Sequence, residues 1–134
     1  MRIVLDTNVL VSGLLNPGGA PGRILDLILA GEIILLVDDR ILDEYRTVLR
    51  RPKFGFQPGD VADLMIFIEK ESERVLASPL GISLPDRGDD IPLLEAAVSG
   101  LAEALVTGNA RHFRPAARLE LSIEGPAQFL RRPG

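Results

Sequence analysis

The sequence predicts an α/β domain built on a mostly parallel sheet. Three observations carry this. Short apolar runs alternate with segments of helical periodicity. The apolar runs lack polar alternation, as strands covered on both faces do. Gly- and Pro-rich punctuation separates the segments at intervals too short for independent domains. With 134 residues, 46% apolar and 25% charged, the chain has the proportions of a globular domain. A chain of this size buries roughly two-thirds of its unfolded surface, enough for a real core. Residues 1–134 are therefore read as one domain.

Each element follows from its local pattern. Ile3-Val4-Leu5 is a buried strand ending at Asp6, and an apolar helix runs from Val9 to Leu15. Asn16 to Gly22 is a loop. Gly22 to Gly31 reads as a mostly buried helix closed by Gly31, and Ile33 to Val37 as a second strand. Asp38-Asp39 caps a helix in which Ile41, Leu42, Tyr45, Val48 and Leu49 recur at helical spacing. Arg51 to Gly59 is a loop. Asp60 to Glu71 forms the next helix, with Val61, Leu64, Met65 and Ile68 on one face, and Arg74-Val75-Leu76 a third strand. Pro79 to Gly88 is a loop, after which Asp89 or Asp90 starts a helix whose core face is Ile91, Leu94, Ala97, Val98 and Leu101. Ala104 to Thr107 is a fourth strand, Leu119 to Ile123 a fifth, and Gly125 to Leu130 a last short helix.

Composition excludes several chemistries. There is no cysteine, so disulfide scaffolds, thiolate zinc sites, iron–sulfur clusters and cysteine nucleophiles are ruled out. The single histidine, His112, excludes multi-histidine metal sites. Any metal must be held by oxygen, which favours a hard cation such as Mg²⁺ or Mn²⁺. The net charge of −4 argues against nucleic-acid binding by bulk charge. The cations are nonetheless 13 Arg against 2 Lys, and arginine's planar fork reads phosphate well. No apolar run is long enough to span a bilayer, and Asp6 interrupts the start too early for a secretory segment. A cytoplasmic protein is the expectation.

The acids fall where an α/β sheet binds ligands, beyond the carboxyl ends of its strands. Asp6 directly follows the first strand, Asp90 opens a helix, and Thr107-Gly108-Asn109 turns away from the fourth strand. On its helix the apolar stripe runs from about −20° to about 100° around Ile41, and Glu44 lies near −60°, at its border. A carboxylate there is costly unless paired or bound to a cation. If this helix packs on the first strand, Glu44 faces Asp6. Each residue has an ordinary alternative. Asp6 can end a strand, Glu44 can pair with Arg40 or Arg51, and Asp89 or Asp90 can be a plain N-cap beside Pro92.

Four motifs then occur in order. Ile3-Val4-Leu5-Asp6-Thr7-Asn8-Val9-Leu10 resembles the opening motif of the PIN-domain family. Ile41-Leu42-Asp43-Glu44-Tyr45, followed by Val48-Leu49, is similar to its second motif, with Glu44 on the acid. Asp86-Arg87-Gly88-Asp89-Asp90 and then Leu93 to Ala97 resembles the third, in which the acid stands seven positions before Ala97 and is therefore Asp90. Leu105-Val106-Thr107-Gly108-Asn109, then Arg111-His112-Phe113, resembles the fourth.

The resemblance implies a three-layer fold and a Mg²⁺- or Mn²⁺-dependent ribonuclease. Asp6, Glu44 and Asp90 would be the metal-binding and catalytic acids, with Asn8, Thr107, Asn109 and Asp89 in support. Many small bacterial members are toxins of toxin–antitoxin pairs (VapC-like), so an antitoxin protein and a homodimer are the implied partners. Where other members carry a further acid in the fourth motif, this chain has Asn109 and His112, which leaves a second metal to lean on Asp89 or Asp86. RNA would be gripped by a rim of Arg46, Arg50, Arg51 and Arg111, near Lys53, His112 and Arg114. With five Phe and one Tyr, no base-stacking platform is evident.

Two other readings compete. One is a catalytically silent PIN-fold module that binds RNA or a partner, which the missing fourth acid favours. The other is a phospho-receiver domain. It requires a lysine after the last strands, whereas Lys53 and Lys70 are mid-chain.

Overall fold

The computed structural model describes residues 1–82, 84 and 90–133, without the side chains of 117 and 118. Among the described residues, thirteen segments follow one another. They are β1 (Arg2–Leu5), α1 (Thr7–Leu15), α2 (Ala20–Leu29), β2 (Ile34–Val37), α3 (Asp39–Leu49), a 3-10 turn (Pro52–Phe54), α4 (Pro58–Glu71), β3 (Glu73–Arg74), α5 (Ile91–Ser99), β4 (Ala104–Val106), a 3-10 run (Ala110–Leu119), β5 (Ile123–Glu124) and α6 (Pro126–Leu130). The five strands form one sheet in the order β3-β2-β1-β4-β5, and every pairing is parallel. Helices flank it, as expected of an all-parallel sheet.

The strand order reverses at β1. One neighbour, β2, follows it in sequence, and the other, β4, arrives only after α3, α4 and α5. Ligands collect at such a switch point because the crossover helices diverge there and open a crevice. Ile3, Val4 and Leu5 are at most 1% exposed, so the strand delivering Asp6 to that crevice is anchored on both faces. Pairing aligns Leu5 with Val106, which puts the next residues, Asp6 and Thr107, side by side. Across the sheet's centre lies α5, in contact with β1, β2 and β4, and it also touches α3.

Several boundaries differ from the sequence reading. The second helix starts at Ala20, since Pro21 fits a first helical turn. Its turn from α1 is tight. A Cβ on Gly22 would lie 2.2 Å from the Pro17 carbonyl oxygen, so only glycine fits. The third strand is Glu73–Arg74 rather than Arg74 to Leu76. Val75 still donates its N–H to the Val37 carbonyl, but the edge then peels away and leaves Leu76 96% exposed. The fifth strand is Ile123–Glu124, not Leu119 to Ile123, because a 3-10 run takes up the chain to Leu119. In α5 the buried face includes Leu93, Glu95 and Ala96, whereas Leu101 lies beyond the helix with a φ of 55° and points to solvent. Among the described residues no helix is long and apolar enough to cross a membrane.

Candidate active site

Asp6 is 3% exposed and does two local tasks. It is the N-cap of α1, where its Oδ1 accepts the Asn8 N–H at 3.2 Å. Its Oδ2 accepts the Thr107 hydroxyl hydrogen at 2.7 Å. Thr107, fully buried, in turn accepts the Asn109 N–H at 3.1 Å, so its hydroxyl is fixed as donor to Asp6. Both carboxylate oxygens of Asp6 are thus oriented by the chain's own donors, and each keeps lone-pair capacity. That is how outer partners aim a metal-ligating carboxylate.

Glu44, half-buried on α3, accepts the hydroxyl hydrogen of Thr7 at 2.5 Å on Oε2. Thr7 is the first residue of α1, directly after Asp6, so this bond ties the two acids into one corner. Next to it the Tyr45 phenol, fully buried, donates to the Leu5 carbonyl at 2.6 Å. Burial first, and then the Asp6 and Glu44 charges, push this phenol well above its ordinary range. Neither Arg40 nor Arg51 pairs with Glu44.

Asp90 is 4% exposed at the N-terminus of α5, and its side chain does not cap that helix. Between α3 and the first turn of α5 runs a groove of about 420 Å³, lined by Glu44, Thr47, Arg51, Pro92 and Leu93 among others. Asp86 and Asp89 lie outside the described residues. Among the described residues, no three carboxylate or imidazole groups converge tightly enough to make a ready-made cage. A Mg²⁺-like ion does not require one, because it keeps several waters and takes one or two carboxylates. The buried, oriented Asp6 and the half-buried Glu44 tied to its corner offer only oxygen donors, which fit a hard cation.

The supporting residues act largely through their backbone. Asn8 is exposed and supports Asp6 through its N–H. Asn109 supports Thr107 in the same way, and its carbonyl accepts the His112 N–H at 2.9 Å. Of the expected rim, Arg46 is engaged by Asp43 at 3.0 Å and by Glu69. Arg50, Arg51 and Arg111 are exposed, and Arg51 lines the groove.

Two contributors escape the sequence reading. Thr7 is one, though it sits inside the first motif. The other is Glu95, 7% exposed within an apolar helix. Its Oε1 accepts from Arg40 at 2.7 Å and its Oε2 from the Leu80 N–H at 3.0 Å. Arg40 also forks onto Asp38 Oδ2 at 3.0 and 2.7 Å. The network ties Leu80 and the first turn of α3 to α5. An isolated acid in an apolar helix was the available signal.

Over 53 residues the chain is 43% identical to an uncharacterized protein of Methanocaldococcus jannaschii, covering 40% of this chain and 34% of that one. The chain thus spans about a third of the length of that relative. A family model described as the PIN domain matches residues 2–111, which include all four motifs up to Arg111. The chain belongs to the PIN-domain family.

Proposed function

We propose that the protein is a Mg²⁺- or Mn²⁺-dependent endoribonuclease, the toxin of a toxin–antitoxin pair, working in the cytoplasm as a homodimer. The nuclease-type PIN fold supports the reaction class. The observation that carries the reading is Asp6, buried at the switch point with both oxygens oriented by Thr107 and Asn8. A bound divalent cation supplies charge neutralisation and an activated water for phosphodiester hydrolysis.

The chain's own residues do the rest. Asp6 and Asp90 would hold the cation. Glu44, aimed by Thr7, is a further ligand or holds the attacking water in line with the phosphorus. The attacking water gives a proton to solvent as its oxygen bonds to phosphorus, and the bond to the leaving oxygen breaks, that oxygen taking a proton from solvent. Thr107 keeps Asp6 from rotating out of position. Arg51, with Arg50 and Arg111, grips phosphates at the rim. The test is RNA cleavage by wild type and Asp6→Asn side by side in Mg²⁺, Mn²⁺ and EDTA. Cleavage by wild type alone, abolished by EDTA, is expected. Equal cleavage by both proteins overturns the assignment.

A further inference from the structure

Beyond the end of α3 the chain builds a feature that the carboxylate site does not use. The 3-10 turn Pro52–Phe54 ends at Gly55, whose φ of 67° needs glycine. That reversal folds Phe56 back beside Phe54, with ring centroids 5.8 Å apart and planes 23° from parallel. Both rings are only half-buried. The Lys53 ammonium sits 5.1 Å from the centroid of Phe54. Arg51 links the turn to the groove beside Glu44. Arg51 lines that groove beside Glu44 and Thr47, and its carbonyl accepts the Phe54 N–H at 3.1 Å.

Charge separates this end of α3 from the other. Arg40 is neutralised by Asp38 and Glu95, and Arg46 by Asp43 and Glu69. Among the described residues, Arg50, Arg51 and Lys53 are in no ion pair, and all are exposed. An acidic protein that leaves three adjacent cations unneutralised beside a stacked aromatic pair offers the two elements of single-stranded nucleic-acid binding. Those are a cationic track for phosphates and a ring face for a base.

We propose that residues 50–56 form a single-stranded RNA subsite, in which Phe54 stacks one base of the strand leaving the Glu44 groove while Arg50 and Arg51 take the flanking phosphates. This rests on the ribonuclease reading and extends it to how substrate is chosen. Lys53 is the displaceable cover of the ring. Its contact with Phe54 is an exposed cation–π pair, weaker than base–ring stacking, so a base exchanges with it and frees the ammonium for a phosphate. Double-stranded RNA, with its bases paired and stacked, cannot use the ring.

The test measures affinity in EDTA for two single-stranded oligoribonucleotides of equal length, one carrying bases and one abasic throughout. Cleavage of the first in Mn²⁺ is followed alongside, for wild type and Asp6→Asn. Phe54→Ala and Phe54→Leu are expected to weaken binding of the base-bearing strand about tenfold and to leave the abasic strand unchanged. Arg51→Ala is expected to weaken both. Phe54→Leu keeps an apolar side chain on the core, and a thermal melt shows that the variant is folded. Wild-type affinity of Phe54→Leu for the base-bearing strand overturns the subsite, as does failure of wild type to bind either strand. Base-dependent binding through Phe54 without Asp6-dependent cleavage overturns the nuclease reading and leaves the subsite standing.

Discussion

Thr107 reaches across 101 positions of sequence to hold Asp6, hydroxyl to carboxylate, at 2.7 Å. The bond exists because β1 and β4 are neighbours whose last residues are in register, so the residues that follow them leave the sheet together. It is buried, and it gives the first acid of the site a fixed direction. Thr107→Val keeps the shape and removes the donor. The loss is expected to cost about 1–3 kcal/mol, because a buried carboxylate oxygen loses its partner. RNA cleavage is expected to fall about 10–100-fold, the usual effect of removing a residue that orients a ligand. Urea unfolding and cleavage rates check the two effects separately, and full activity in a folded variant removes the orienting role.

Tyr45 gives a pH signature. Its phenol is held above its ordinary value by burial, then by Asp6 and Glu44. The unfolded phenol loses its proton near pH ~10, whereas the folded one keeps it. Above that pH the native state binds more protons than the unfolded state, so stability must fall as pH rises. Wild type should lose up to about 1.4 kcal/mol per pH unit from this group above pH ~10, and Tyr45→Phe should lack that component. Tyr45→Phe should also lose about 1–3 kcal/mol at neutral pH, because the Leu5 carbonyl is left without its donor. Denaturant titrations from neutral pH to about pH 11 would show both effects.

Glu95 binds Arg40 and the Leu80 amide with separate oxygens. Glu95→Ala should cost about 1–3 kcal/mol, moderated because Arg40 is partly solvated. The more specific expectation concerns the Leu80 amide. Its hydrogen exchange should accelerate in Glu95→Ala and much less in Glu95→Gln, which retains an acceptor. Unchanged exchange in both variants would show that the Leu80 amide is protected by other contacts.

Gly22 tests the packing of α1 against α2. An alanine methyl group would meet the Pro17 carbonyl oxygen at 2.2 Å, which the turn can relieve only by moving backbone. Gly22→Ala is expected to destabilise by about 1–3 kcal/mol, read by thermal or urea unfolding. Gly18→Ala, with nothing within 4 Å of the added carbon, serves as the control.

Much of this arrangement was legible in the residues. Ile3-Val4-Leu5 followed at once by Asp6 already placed an acid at the end of a buried strand. The angular position of Glu44 already placed it at the border of its helix's apolar face, where it is half-buried. What stayed hidden depended on how elements meet. The Thr7–Glu44 bond requires the distance between α1 and α3, which periodicity does not carry. The Phe54–Phe56 pair requires a left-handed Gly55, and two aromatic residues in a loop do not announce that they stack. Leu76 misled because it is apolar yet lies past the sheet's edge. Leu119 was read into the fifth strand because the 3-10 run that it closes, which contains Pro115, has neither helical nor strand periodicity.

The order of strands has a consequence for how the protein comes into being. β1 is made first but sits in the middle of the sheet, and its partner β4 lies about a hundred residues downstream. Contacts so distant in sequence form slowly, after large loops have closed. During synthesis the ribosome releases Asp6, Thr7 and Glu44 well before Ala104–Val106 exists to complete the centre of the sheet. Until that strand emerges, the corner that holds Asp6 has no Thr107 to close it. A nascent chain therefore carries the acids without their alignment, and the site is assembled only once Thr107 has emerged.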